Sequence, residues 1–471
     1  MKKNIIATVI GLGFLLSMAG ADNVSAYTWD ALCGKFKLSG RLENFTGWRT
    51  QDHAVLSLDR PGEPIREAGD LAIFRNTLQL EMEYSLGEHF SIFSIYRLAY
   101  EGGYDVQSVD DRPRDQEFIQ DELRELYVTL AFDEWTFKIG KQQLVWGETD
   151  VLRMADVINP LDLSWNWSNE TWEDIRRPLR MIVATYAPER FVTNNVSLEA
   201  VFIPEDFKAT LTPRPGSNWH IDLAGWELFR TAYRAGEPND NNDEYGFRLR
   251  GVIKGAEVSV FDWYGRLDGG VVNLDHFIGF LTGTHGVGFV DYPKFNSTGA
   301  TLNWFDPWTR TVWRFEGSYN FEEPFNDSFF RIQRWDSLNF MIGFDRPTWI
   351  RLLNPEQTWF LSFQWFHKNI LDYKHSYGLI SPSQSNDQYQ NIAIFLMTSG
   401  YKNNIYTPTL AVAYDLSGTW FVAPSFKYNF NSELAFTIGA NFYIATTTRD
   451  SIWGTVRDND QVYFRIRYGF R

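Results

Sequence analysis

Residues 74–86, FRNTLQLEMEYSL, divide into two sets at a spacing of two. Phe74, Asn76, Leu78, Leu80, Met82, Tyr84 and Leu86 form one set; Arg75, Thr77, Gln79, Glu81, Glu83 and Ser85 form the other. Successive side chains of a strand point to opposite faces, whereas a helix would scatter both sets around its circumference. The segment predicts a strand with one greasy and one watery face, long enough for a tilted bilayer crossing.

The pattern repeats along the chain. Tyr245, Phe247, Leu249, Gly251 and Ile253 oppose Gly246, Arg248, Arg250 and Lys254; Trp313, Phe315 and Tyr319 oppose Arg314, Glu316 and Ser318. Trp359, Leu361, Phe363 and Trp365 oppose Thr358, Ser362 and Gln364. Leu434, Phe436, Ile438, Ala440, Phe442 and Ile444 make a further apolar face. The last segment sets Val462, Phe464, Ile466, Tyr468 and Phe470 against Gln461, Tyr463, Arg465 and Arg467. A sandwich of two sheets alternates too, with its apolar faces inward, so the connections have to decide.

Short and long connections take turns. Tight turns are expected near Gly87-Glu88, Asp133-Glu134, Pro188-Glu189, Gly255-Ala256, Asp306-Pro307, Asn403-Asn404 and Asn431-Ser432. Between them lie long polar stretches: 49–70, 102–121, 146–177, 205–243, 267–293, 321–336 and 367–388. A short link at Ser417-Gly418 falls on the long-loop side. This is the plan of an outer-membrane barrel, with short periplasmic turns and long outer loops. The reading is an all-β fold: a single closed antiparallel transmembrane β-barrel of about 18 strands, with 16 as the alternative. Closure pairs every backbone group, which lipid cannot do. A barrel of ~16–18 strands encloses water unless something fills it.

Composition agrees. The 471 residues include 19 Trp, 22 Tyr and 38 Phe, and the net charge is −15. Rings suit interfacial girdles, and the polar remainder suits lumen and loops. The acidity argues against nucleic acid as partner. Mean hydropathy is −0.31, and beyond the N-terminus no run approaches the ~20 apolar residues of a spanning helix. One cysteine, Cys33, excludes a disulfide framework. Residues 1–26 read as a secretory signal peptide: Lys2-Lys3, an apolar run from Ile5 to Leu16, and cleavage after Ala21 or Ala26. Tyr27 to Arg471 reads as one domain.

Residues 140–180, GKQQLVWGETDVLRMADVINPLDLSWNWSNETWEDIRRPLR, break the strand rhythm. Residues 146–177 are the candidate lumen-constricting loop, with Trp146, Glu148, Asp150, Arg153, Asp156, Asn159, Asp162, Arg176, Arg177 and Arg180 as candidate constriction residues. Acids Glu148, Asp150, Asp156 and Asp162 would face Arg153, Arg176, Arg177 and Arg180 across a waist and select by their field. A salt-bridged plug or a solvated outer loop fits the same residues. Glu173-Asp174 reads as simple loop charge. Candidate lumen-lining residues are Arg75, Glu81, Glu83, Arg248, Arg250, Arg314, Glu316, Arg465 and Arg467. In a second loop, residues 213–243, the spacing from Leu223 to Tyr233 suits a short amphipathic helix, and the acidic run from Glu237 to Asp243 could hold a hard cation.

Gly140-Lys-Gln-Gln143, Trp146-Gly-Glu148 and Asp156-Val-Ile-Asn-Pro-Leu-Asp162 resemble a proteobacterial outer-membrane family, domain of unknown function thirteen-oh-two. The resemblance implies a porin-like channel. It also implies export of hydrophobic or lipid-like cargo beside an envelope exporter, and supplies no catalytic or binding residues.

Expected partners are outer-membrane lipid and lipopolysaccharide, the outer-membrane assembly machinery and a periplasmic exporter component. No cofactor or metal is implied. The seven histidines form no HExxH, and no serine lies in GxSxG, so an enzyme is not expected. The function expected is passage of a small or partly hydrophobic solute, with a plugged scaffold or exporter partner as the alternative.

Overall fold

The structure is a computed structural model. It describes residues 27–470 except 32, 57–60, 107–118, 150–151, 166, 205, 213–227, 229–230, 233–242, 381–386 and 446–450. The signal-peptide reading, Asp150, and nearly all of the 213–243 loop with its helix and cation-site readings lie outside the described residues.

Eighteen antiparallel strands close on themselves. They are β1 (Gly34–Arg49), β2 (Leu71–Leu86), β3 (Phe90–Glu101), β4 (Ile119–Phe132), β5 (Trp135–Gln142), β6 (Leu179–Tyr186), β7 (Ser197–Ile203), β8 (Glu244–Ile253) and β9 (Ala256–Arg266). The second half comprises β10 (Lys294–Asp306), β11 (Thr311–Asn326), β12 (Ile332–Thr348), β13 (Trp359–Ile370), β14 (Tyr389–Thr398), β15 (Tyr406–Asp415), β16 (Thr419–Asn429), β17 (Leu434–Ala445) and β18 (Gln461–Phe470). Each strand pairs with the next, and β1 pairs with β18 from Gly40↔Phe470 to Arg49↔Gln461. A short strand, Tyr27–Ala31, pairs with the start of β1 below the end of β18.

The alternation sorts as its chemistry demands. On β2, Arg75, Thr77 and Gln79 are buried in the interior; on β8, Phe247 is 53% and Leu249 47% exposed on the outside. Ile182, Leu198, Phe202, Val260, Ile342 and Ile438 continue this outer apolar belt. Exposing such a belt to water would be costly, and facing it to lipid removes the cost. Interior positions carry the polar groups instead: Arg41, Glu43, Arg97, Arg124, Glu316 and Gln364 are all buried there.

Both barrel termini and the short turns share one end. The β8–β9 turn takes two residues, Lys254 (φ 51°) and Gly255 (φ 84°), the left-handed pair that matches hairpin twist. An eighth short connection, residues 349–358, was not foreseen. Residues 321–336, expected as a long loop, are mostly strand. β11 and β12 run on past a register shift between Asn320 and Glu323, with Glu322 at φ 48°, and only 327–331 connect them. The polar residues there read as loop because a bulge offsets the alternation.

Candidate functional site: a loop folded into the lumen

The connection between β5 and β6, residues 143–178, runs inside the barrel. Buried Asn159 ties its two arms together at the point where they leave the wall. Its Oδ1 accepts from Leu144 N at 2.8 Å, and its Nδ2 donates to Arg177 O at 3.0 Å. Trp146 then lies against the β7–β9 wall. Its Nε1 donates to Glu199 Oε1 at 2.6 Å, and its ring lies 5.6 Å from Phe261 and 6.1 Å from Trp263. Arg248 stacks 5.8 Å over the same ring and pairs with Glu199 at 3.3 Å. Ala155, Ile158, Leu179, Met181, Val183, Val201 and Ile203 complete this apolar contact.

Glu316 of β11 holds the loop's next turn. Fully buried, it accepts from Glu148 N and Ala155 N, each at 2.6 Å, and from Met154 N at 3.2 Å. Gly147 permits this approach, since a Cβ there would lie 2.9 Å from Asp156 N and 3.0 Å from Glu316 Oε1. Leu152 and Met154 pack against a cluster of Met341, Phe366, Ile392, Ile394, Phe421 and Tyr443 on β12–β17. Within the loop, Asp156 binds Arg176 Nε at 2.8 Å and Arg153 Nε at 3.5 Å.

The return arm meets the opposite wall through charge. Ser168 bonds Tyr443 on β17, and Arg465 of β18 donates to Asn169 O at 2.6 Å. Glu170 pairs with Arg75 of β2 and, at 3.8 Å, with Arg97 of β3. Asp174 pairs with Arg41 of β1 and, at 3.1 Å, with Arg97. Arg124 of β4 donates to Glu173 O at 2.9 Å and Arg176 O at 2.7 Å. Burial opposes ionisation of Asp174, but Arg97, Arg41 and Arg124 outweigh it and hold the carboxyl well below the usual carboxylate range. Trp165 lies under the Arg75 guanidinium at 4.6 Å. A small recess remains here, lined by Arg75, Arg97, Gln120, Asp162, Trp165, Glu170, Asp174 and Ile175.

The structure thus brings Trp146, Glu148, Arg153, Asp156, Asn159, Asp162, Arg176 and Arg177 into one folded loop, though not as facing rows. Asp156 neutralises its own loop's arginines, Asp162 accepts from Ser164, and Arg177 donates to Ala209 O in the next loop. Arg180 is a correction: it shares outward parity with Ile182, with its side chain 72% exposed, because β6 begins at Leu179. Arg75, Glu81, Glu83, Arg248, Arg250, Arg314, Glu316, Arg465 and Arg467 all take interior parity. Arg250 pairs with Glu257, Arg314 with Asp345 at 3.3 Å, and Arg465 and Arg467 with Glu43 at 3.7 and 3.8 Å. Sequence reasoning missed Arg41, Arg97, Arg124, Glu170 and Asp174. The available signal was interior-parity arginine on four consecutive strands.

The family described as "Protein of unknown function (DUF1302)" matches residues 7–470. The chain belongs to that family. No curated protein matches this DUF1302 chain by sequence. Among solved structures it is similar to OccAB3 of Acinetobacter baumannii, at 10% identity and a TM-score of 0.52, over 92% of this chain and 99% of that one. OccAB1 of the same organism gives 9% identity and a TM-score of 0.51, over 92% and 96%. These likenesses are of fold: the DUF1302 chain has the architecture of an outer-membrane porin-like barrel.

Proposed function

We propose that this protein is an outer-membrane channel for a small or partly hydrophobic solute, narrowed by residues 143–178. One observation carries the reading: the loop crosses the lumen between an apolar contact near β7–β9 and an arginine-rich wall on β1–β4 and β18. Those arginines and rings are themselves buried against the loop, and they fix its position across the lumen. Selectivity would follow from the width the loop leaves and from the field there. The polar interior of an 18-strand cylinder supports passage rather than catalysis.

A second reading is a plugged, non-conducting scaffold or exporter partner. The breadth of the loop's contacts, from β7–β9 across β11 to β17–β18 and β1–β4, favours it. Planar-bilayer recording separates the two. Stable open steps from the full-length protein, enlarged when residues 151–169 are deleted, support the channel. Silence from the full-length protein supports the plug, and conductance unchanged by the deletion removes the loop from either role.

A further inference from the structure

The displaced Arg180 marks a different surface. In register, Leu126 of β4 pairs with Lys141 of β5, and Lys141 pairs with Arg180 of β6, all three facing outward at the long-loop end. Two cations directly opposite each other on one sheet face are destabilising without an anion nearby. Glu122 and Asp206 partly supply one: Lys141 Nζ lies 2.8 Å from Glu122 Oε1, and Arg180 Nη2 lies 3.1 Å from Asp206 Oδ1. A third cation, Lys208, donates to Pro178 O at 2.6 Å and is near enough to feel Asp206, Lys141 and Glu122. Burial pushes its ammonium down to about 8 despite Asp206 and Glu122, and the corner gathers three cations against two carboxylates.

Directly toward the other end the same face turns apolar. Ile139 pairs with Ile182, and Ile182 with Phe202, each 40–43% exposed, with Leu126 at 45%. Cations thus sit at the upper margin of a greasy strip, the order in which a lipid presents phosphate and acyl chains.

We propose that this outward corner, where β5 and β6 meet residues 206–208, binds a phosphorylated, acylated lipid of the leaflet on the long-loop side. Arg180, Lys141 and Lys208 hold the phosphate, and the acyl chains lie along Leu126, Ile139, Ile182 and Phe202. Arg180 is the principal contact, since its guanidinium spends one edge on Asp206 and leaves the rest open. The site is outside the lumen and stands whether or not the barrel conducts.

The test uses full-length protein in uncharged detergent and bis-phosphorylated lipid A as probe, read by native mass spectrometry. The Lys141→Gln/Arg180→Gln variant is expected to bind about tenfold more weakly. The unmodified protein should lose a similar factor toward dephosphorylated lipid A, a measurement needing no variant to fold. Unchanged affinity in either comparison overturns the proposal. Displacement of the lipid by inorganic phosphate at equal concentration would reduce the site to a bare anion site and overturn the lipid assignment.

Discussion

Asp174→Asn removes the anion on which Arg41 and Arg97 converge while keeping the side chain's shape. The pair is buried, so surface screening does not dilute the effect, and deleting one partner of such a pair costs about 3–5 kcal/mol. At ~1.4 kcal/mol per tenfold, the ratio of docked to released loop should fall by roughly 100- to 4,000-fold. In planar bilayers at neutral pH, the variant should show more frequent and longer high-conductance episodes than the parent. The pH dependence has a definite sign. A carboxyl depressed by its arginines contributes stability that is complete above the ordinary aspartate value of ~3.9 and is lost as pH falls below it. Parent gating governed by this contact should therefore stay flat from about pH 5 to 8 and loosen only in stronger acid. Identical conductance, gating and protease resistance of residues 143–178 in parent and variant would refute the reasoning.

Other perturbations follow from neighbouring contacts. Gly147→Ala should push the loop off Glu316, costing about 1–3 kcal/mol, and limited proteolysis should then cut residues 143–178 faster. Burial and Asp458 push the Asp460 carboxyl up to about 6, so the folded state takes up its proton first and stability falls as pH rises from ~3.9 to that value. Asp460→Asn should flatten the denaturation profile across that window. Leu249→Arg places a cation in the outer apolar belt and should destabilise the barrel by about 2–4 kcal/mol if near the midplane, measured by urea unfolding in lipid.

The barrel was legible because its signal is local and repeated. Each segment such as 74–86 states its two faces within a dozen residues, and the turns state which end is which. The bulge at Glu322 defeated that reading, since one extra residue offsets the alternation. The site was harder. Residues 140–180 announce a loop, but which charges meet depends on closure, which brings β18 beside β1. Asp174, read as a loop charge, becomes an anchor only because Arg41 and Arg97, both far away in sequence, lie on adjacent walls. Arg180 failed for a simpler reason: one residue of strand decides whether a side chain enters the lumen or leaves it.

Labelling of single cysteines placed in turn at residues 247–250 of β8, on a Cys33→Ser background in lipid vesicles, tests the whole account most directly. Positions 248 and 250 should react with a water-soluble maleimide, and positions 247 and 249 only with a membrane-restricted one. The reverse order, or equal reaction of all four with the water-soluble reagent, would contradict a lipid-facing belt around a watery interior.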